Sequence, residues 1–273
     1  MKKRLIRAGI ITVSISIVLC IITVLAIVFD GDDADLSYRT LDYEATVTAD
    51  GDLNVTQHID MKLKKRTDYD DDTVRPWKQL YQRYTLESDK LTDITDITVT
   101  NVTDGRQYRQ TMPALPSAVD DAAWNSEYAD RWYIADVTDN EENSQPYEPG
   151  KDGLTADPHG EVQRKTIEIG WNIPATESAE SLKFDISFTM HDVVSLYNDV
   201  AAFQWEPFGS SNQVPINRVT GTLHFPSGVT DNTSWAWLHT EVTSTTRRDA
   251  DNTLVFTAND LKAGDYLDVV AAF

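Results

Sequence analysis

The stretch Lys183–Pro226 reads KFDISFTMHDVVSLYNDVAAFQWEPFGSSNQVPINRVTGTLHFP. Alternation of polar and apolar residues predicts a strand over Phe184–Met190 and a second strand over Val214–Phe225. Between them, Asp192–Phe203 predicts a short helical turn. Trp205 follows, and we expect its ring to be buried at the seam between the turn and the sheet, the alternative being an exposed ring that stacks on a ligand. This strand–turn–strand unit is the centre of a predicted mainly β fold.

The same stretch resembles a segment of the bacterial predicted membrane proteins grouped as domain of unknown function 2207. The residues that carry the resemblance are Phe188, Tyr197, Asp199, Trp205, Ile216, Val219 and Pro226. The resemblance covers most of the chain after its first thirty or so residues, and it implies an envelope-facing location and a β-rich fold without implying an activity. It also implies that relatives continue into further membrane helices. Because the sequence here stops within the predicted strand Asp265–Phe273, we expect a truncated or a distinct short form.

The rest of the sequence also reads mostly as strands. Leu36–Leu63 predicts a hairpin that turns at Asp50-Gly51, a dipeptide favoured between twisted strands. Pro76–Tyr84 predicts a short helix, and Ala175–Ser181 a helical or turn segment. Further strands are expected at Ile94–Val102, Trp132–Ala135, Thr166–Ile173, Trp235–Val242, Leu254–Thr257 and Asp265–Phe273. We therefore predict one antiparallel β-sandwich-like domain over residues 36–273, with an irregular insertion at residues 111–163.

The N-terminus has the pattern of a membrane anchor. Residues 1–7 carry four basic side chains, and residues 8–29 carry no charge. A helix of this length spans about 33 Å, enough to cross a hydrocarbon core. The basic flank predicts a cytoplasmic N-terminus, and the acidic linker at residues 30–35 an extracellular domain. A single-pass cell-membrane protein that contacts the lipid bilayer through residues 8–29 is expected, with a signal peptide cleaved near Val24-Leu25-Ala26 as the alternative.

Composition and motifs exclude several functions. The net charge of −20 argues against nucleic acid, whose phosphates require Lys and Arg. The single cysteine, Cys20, lies in the apolar run, so neither an intrachain disulfide nor a catalytic cysteine is expected. The acidic segments 68–72 and 249–260 lack the glycine of a calcium loop, and no zinc-helix motif is present. We predict no catalytic residue, no metal and no cofactor.

The insertion contains the candidate ligand-contact residues, which are Trp124, Tyr128, Trp132 and Tyr133. Aromatic rings supply recognition surfaces, but they also pack loops against sheets, and both interpretations stay open. The first predicted function is a non-catalytic binding or scaffold module with an envelope protein or glycan as its partner. The second is a hydrolase of envelope polysaccharide that uses two carboxylates from Asp120, Asp121, Asp130 and Asp136.

Overall fold

The computed structural model describes residues 20–21, 34–69, 71–139, 144–249 and 253–273, and within them the chain is mainly β with several antiparallel sheets, as predicted. The strands are β1 (Cys20–Ile21), β2 (Leu36–Val47), β3 (Leu53–Leu63), β4 (Trp77–Glu87), β5 (Ile94–Asn101), β6 (Arg106–Gln107), β7 (Arg109–Gln110), β8 (Arg131–Asp136), β9 (Gln145–Pro146), β10 (Arg164–Thr176), β11 (Ala179–Met190), β12 (Val194–Leu196), β13 (Ala201–Phe208), β14 (Ile216–His224), β15 (Trp235–His239), β16 (Ser244–Asp249), β17 (Thr253–Leu261) and β18 (Leu267–Ala272). The helical pieces are a 3-10 turn (Pro116–Ala118), a helix α1 (Asp121–Ala123) and a π-helical turn (Trp124–Tyr128).

The strands form three sheets. Sheet 1 has eight strands in the order β16-β17-β14-β2-β3-β11-β5-β6. Sheet 2 has the order β1-β4-β10-β8-β7, with β9 added to β8, and sheet 3 has the order β12-β13-β18-β15. All pairs are antiparallel except β2 with β14 and β7 with β8.

The predicted hairpin at the start of the domain is confirmed. Strands β2 and β3 pair antiparallel from Leu36 and Leu63 to Val47 and Leu53. Alternate residues of β3 are buried along its whole length, which is the pattern of a strand with one face on the core. Gly51 has a φ of 91°, a left-handed conformation that only glycine adopts without strain, so the turn residue identified from sequence has its expected role.

Sheet 2 packs on the buried face of sheet 1. The ring of Tyr84 in β4 meets the ring of Phe188 in β11 edge to face, with centroids 5.3 Å apart. Trp171 in β10 lies 5.7 Å from Phe184, which shares the face of Phe188. These aromatic pairs join the two sheets into one hydrophobic core.

Sheet 3 packs on the same face of sheet 1, beside sheet 2. Trp205 in β13 is 2% exposed and meets Tyr43 of β2 edge to face, with ring centroids 5.2 Å apart. The Tyr43 hydroxyl also donates a hydrogen bond to the carbonyl of Pro207, at 3.1 Å. The predicted burial of Trp205 is therefore confirmed.

The prediction of a helix over Pro76–Tyr84 is wrong, because this segment belongs to β4. Trp77, Leu80 and Tyr84 are buried, and their spacing of three and four residues is what suggested a helix. β4 is buried over most of its length, so apolar residues on both faces give a spacing that imitates a helical stripe. Its ladder with β10 runs from Trp77 to Glu87 and overrides the local pattern.

The helical turn predicted over Asp192–Phe203 is also wrong, because β12 and β13 form a hairpin there. The backbone N–H of Tyr197 donates to the carbonyl of Val200 at 2.9 Å, which closes the turn around Asn198-Asp199. Asn and Asp favour turns because their side chains tolerate the required backbone conformations. The segment Ala175–Ser181 is likewise strand at both ends, since β10 ends at Thr176 and β11 begins at Ala179.

One end of the domain, which we call the distal end, gathers the β2–β3 turn, the β12–β13 hairpin and the end of β18. The backbone N–H of Val194 donates a hydrogen bond to the carbonyl of Gly51 in the β2–β3 turn. The ring centroids of Phe225, just after β14, and Phe273, just after β18, lie 5.6 Å apart. Leu36, the first residue of β2, lies at the opposite end. Because β2 has 12 residues, the two ends are about 36 Å apart along this strand.

The predicted membrane segment at residues 8–29 lies outside the described residues except for Cys20 and Ile21. These two form β1, which pairs with Tyr84 and Arg83 of β4. Among the described residues, no helix has the length and apolar character needed to cross a bilayer. The predicted tail at residues 1–7 and most of the linker at residues 30–35 also lie outside the described part.

Candidate functional site

Trp124 holds the insertion against sheet 2. Its ring is fully buried, and its indole N–H donates to the carbonyl of Ile173 at 2.8 Å. Tyr128 stacks on it with ring centroids 5.4 Å apart and is half-buried. These contacts fit the packing interpretation of the loop rings. Of this pair, only Tyr128 keeps a surface that a ligand can reach.

Trp132 and Tyr133 lie in β8 with 8% and 1% of their surface exposed. The Tyr133 hydroxyl donates to Glu168 at 2.6 Å, and burial raises the pKa of this phenol well above its usual value. A side chain at Gly170 would place its Cβ 2.2 Å from the Tyr133 ring, so this ring packs directly over glycine. Both aromatic side chains therefore support the sheet, and their burial makes direct contact with a ligand sterically unfavourable.

The four aspartates considered for hydrolysis each make local contacts. Asp120 accepts from the backbone N–H of Ala123, Asp121 pairs with Lys78, Asp130 pairs with Arg106, and Asp136 accepts from Thr138. Asp130 directly precedes β8 and Asp136 is its last residue, so the two are six residues apart and separated by about 20 Å. Paired catalytic carboxylates of glycosidases are about 5–9.5 Å apart, so these two cannot act on one bond.

Sheet 3 has an outer face that points away from the core, and β15 places two tryptophans on it. Trp235 is 66% exposed and Trp237 is 48% exposed. The intervening Ala236 and the following Leu238 pack against the core, so alternation sends both indoles outward. Exposed tryptophans are unusual on a soluble surface and mark candidate recognition sites.

An open cleft of about 650 Å³ lies beside these rings. Its lining residues are Asp231, Ser234, Trp235, Ala236, Trp237, Arg248 and Ala272. The Arg248 guanidinium donates to the Ser234 hydroxyl at 2.8 Å and pairs with Asp231 at 3.3 Å, so it is held in place at the wall of the cleft. This volume falls within the range of small-molecule sites, about 300–1,000 Å³.

The outer face continues into a polar end made by neighbouring strands. His239 pairs in register with Asp268, and the ladder between β13 and β18 shifts register between Trp205 and Phe208. This β-bulge places Glu206 opposite Asp268, and Pro207, which has no N–H to give to the ladder, is part of it. Two carboxyl groups that are far apart in the sequence thus become neighbours, and both are at least 95% buried.

The polar end is rich in acceptors and poor in donors. The Gln204 amide donates to Asp268 at 2.8 Å, and His239 Nδ1 lies 3.8 Å from the same carboxylate. In the described part of the chain, no hydrogen-bond partner reaches Gln204 Oε1, Glu206 Oε2 or Asp268 Oδ1. Buried acceptors left in this way cost free energy, so the polar end is a destabilising feature of the fold.

Burial raises the pKa of both carboxyl groups, and repulsion by Asp268 adds to the shift at Glu206. Burial, and then the nearby Asp268, raise the pKa of Glu206 to about 7, with Lys90 opposing the shift. Burial also raises the pKa of Asp268, against the opposing effects of Gln204 and His239. Lys90 itself is ion-paired with Glu87 at 2.6 Å. Perturbed carboxyl groups are enriched at functional sites, so the polar end is the second part of the candidate site.

Sequence reasoning missed this face. The alternation of Trp235, Trp237 and His239 against Ala236 and Leu238 is visible in the sequence, but both sets are largely apolar and do not tell which one faces solvent. Among the described residues, no three His, Cys, Asp or Glu side chains are grouped as metal ligands.

The fold and the site define a mainly β domain with an exposed aromatic face. Residues 37–273 match the family model described as the N-terminal domain of a predicted membrane protein, DUF2207. The chain belongs to this family, as its resemblance at the sequence level predicted. No curated protein matches the sequence.

Two solved structures match the chain at low similarity. A candidate protease from Parabacteroides distasonis is 12% identical, with a TM-score of 0.40, over 88% of this chain and 40% of that one. An M1 zinc metallopeptidase mutant from Deinococcus radiodurans is 10% identical, with a TM-score of 0.37, over 86% of this chain and 42% of that one. The chain thus spans about two fifths of the length of these proteins.

Proposed function

We propose that this protein is a membrane-anchored, envelope-facing binding module without catalytic activity. In this proposal residues 1–7 are cytoplasmic and residues 8–29 cross the membrane. Residues 30–35 are the linker to residues 36–273, which form an extracellular β-sandwich-like domain. The observation that carries the proposal is the pair of exposed tryptophans, Trp235 and Trp237, on the outer face of sheet 3. Such rings provide contact area at low entropic cost, which suits recognition.

The position of the rings supports an outward-directed site. A linker of six residues reaches at most about 20 Å, so the Leu36 end of the domain would stay near the bilayer. Trp235 pairs with Ala272 at the distal end, and β2 separates that end from Leu36 by about 36 Å. A binding face placed there would point toward the envelope.

The contacts favour binding over hydrolysis. The aspartates of the insertion hold local structure, and Asp130 and Asp136 are too far apart to cooperate. Glu206 and Asp268 are adjacent, but only 4% and 5% of their surface is exposed, whereas a hydrolytic pair needs an open cleft around the bond that is broken.

The topology gives the first prediction. Protease added to intact cells whose wall has been removed should digest the part of the chain beyond residue 30, because the basic flank keeps residues 1–7 inside. Immunoblotting with one tag at each end measures the result. Full protection of the C-terminal tag in intact cells, with digestion after lysis, would rule out the proposed orientation.

Retention on envelope material gives the second prediction. Full-length protein in a detergent without sugar head groups should bind isolated bacterial cell-wall fragments. Replacing both Trp235 and Trp237 by alanine should weaken binding at least about tenfold, because exposed tryptophans act as anchors. Tyr69→Ala is the matched control, since Tyr69 is 99% exposed and lies in the loop between β3 and β4, away from sheet 3. Equal binding by the double variant and the wild type would contradict the proposed site.

A further inference from the structure

β15 is the last strand of sheet 3, and its outer edge carries backbone groups that no strand pairs with. Its ladder is with β18 alone. In the described part of the chain, no backbone hydrogen bond outside this ladder reaches Trp235–His239. Trp235, Ala236 and Trp237 all line the open cleft, although Ala236 points to the opposite face from the two indoles, so the cleft reaches β15 from its edge. An open edge of this kind can add another strand.

The other described strands that end a sheet are short or charged. β1, β6, β7 and β9 have two residues each, and β12 has three. β16 has six residues, and Arg247, Arg248 and Asp249 occupy its second half. Proteins discourage pairing between edges with short strands, charged side chains and proline. β15 has five residues, WAWLH, without lysine, arginine, carboxylate or proline, so it lacks the protection that the other terminal strands have.

The order of side chains along β15 is complementary to itself. When two copies of the strand pair antiparallel over their full length, Trp237 stands opposite Trp237 of the second copy, and Trp235 stands opposite His239. On the other face, Ala236 stands opposite Leu238, a small side chain against a large one. Aromatic pairs across strands stabilise a sheet, and small side chains facing large ones pack without voids. The strand therefore fits a second copy of itself.

The charges near β15 are compatible with this pairing. His239 is the only titratable residue of β15, and it would face Trp235 of the second copy instead of a like charge. The same register brings Ser234, which accepts from Arg248 at 2.8 Å, beside the loop that carries Glu241 of the second copy. A cation then lies near an anion at each end of the seam. The net charge of −20 on each copy opposes association at long range, and salt screens this repulsion.

We propose that β15 pairs antiparallel with β15 of a second copy of this chain, centred on Trp237, so that the two copies of sheet 3 join into one continuous sheet. The indoles of both copies stay on the outer face of the joined sheet. This inference goes beyond the proposed function and does not depend on it. Five paired residues a side are fewer than the about 20–30 of a standard interface, so the dimer is expected to be weak.

Sedimentation velocity of the full-length protein in detergent measures the association. We expect mostly monomer at about 1 μM and mostly dimer at about 100 μM in about 0.5 M salt, with weaker association at low salt. Tyr69→Lys adds a charge at a fully exposed loop position and should associate like the wild type. A wild type that stays monomeric under all these conditions overturns the inference and leaves the edge to a strand of another protein. If that monomer is retained on wall fragments, the proposed function still stands.

Trp237→Lys and Trp237→Glu test the register. Each variant alone places like charges directly opposite each other across the seam, so each should raise the dissociation constant of the dimer at least about tenfold. An equimolar mixture places opposite charges there and should form a mixed dimer, measured by capture of one tagged variant through the other. Dimers that persist in both separate variants come from another surface, such as the membrane segment, and overturn the inference. A mixture that does not associate overturns it too.

Cross-linking locates the twofold axis. In protein whose only cysteine is removed by Cys20→Ser, Trp237→Cys places two thiols on directly opposite residues, whose Cα atoms are about 4.5–5.5 Å apart. This separation suits a disulfide, so oxidation should link the two copies. Trp235→Cys is the matched control, because an offset of four residues separates its two copies by about 13 Å. Equal cross-linking of the two variants, or none by a Trp237→Cys protein that sediments as a dimer, overturns the inference.

Discussion

Replacing Trp205 by alanine is expected to lower the free energy of unfolding by about 3–5 kcal/mol, the usual cost of truncating a buried tryptophan. Only 2% of this side chain is exposed, and its ring packs edge to face on Tyr43 of sheet 1. The substitution would leave a cavity at the place where sheet 3 joins sheet 1. Because small domains are stable by about 5–15 kcal/mol, this is a large share of the total. Thermal unfolding of the full-length protein should show a melting temperature lower by on the order of 10 °C.

Trp235→Ala is the matched control for this prediction. It removes the same side chain from a position that is 66% exposed, so its effect on the free energy of unfolding should stay within about 0.5 kcal/mol. An unchanged melting curve for the Trp205 variant would show that this ring does not hold sheet 3 in place. A large loss for Trp235→Ala would show instead that the outer face is covered by another part of the chain.

Strands with one buried face could be predicted from the sequence, whereas strands buried on both faces could not. The β2–β3 hairpin alternates cleanly and carries a glycine at its turn, so both its pairing partner and its turn followed from local pattern. β4 has buried side chains on both of its faces, and its spacing imitates a helix. The β12–β13 hairpin is decided by its pairing with β18, a strand more than 60 residues further along. Such distant pairing leaves no local signal.

The candidate site also divides into features that the sequence predicts and features that only the tertiary structure shows. The aromatic residues of the insertion could be found in the sequence, but their burial depends on the pairing of β8 within sheet 2 and on the packing of Trp124 against that sheet. Trp235 and Trp237 could not be told from core residues, because β15 is apolar on both faces. Glu206 and Asp268 meet only through the β13–β18 ladder and its bulge. Their adjacency is a property of the tertiary structure.

Glu206 should make the stability of the protein fall as the pH rises through the weakly acidic range. The pKa of Glu206 is raised from 4.5 to about 7 in the folded protein, so the folded state favours the protonated carboxyl group. The resulting stabilisation is fully present below the unfolded-state pKa of 4.5 and is lost as the pH rises through about 7. A shift of this size corresponds to about 3 kcal/mol. Asp268, whose pKa is also raised by burial, contributes with the same sign.

Glu206→Gln removes this titration, and its effect is best measured as the difference in unfolding free energy from the wild type at a series of pH values. The stability of the variant relative to the wild type should rise by about 3 kcal/mol between weakly acidic and weakly alkaline pH, because the amide stays neutral and can donate to Asp268 Oδ1.

The charged groups around Glu206 are Asp268 on β18, Lys90 in the β4–β5 loop and His239 on β15, which acts through Asp268. Lys90 and His239 are present in both proteins, so the difference between them reports on Glu206. Glu241→Gln, at an exposed loop position, should follow the wild type at every pH. A constant difference between Glu206→Gln and the wild type would contradict the raised pKa of Glu206 in the folded protein.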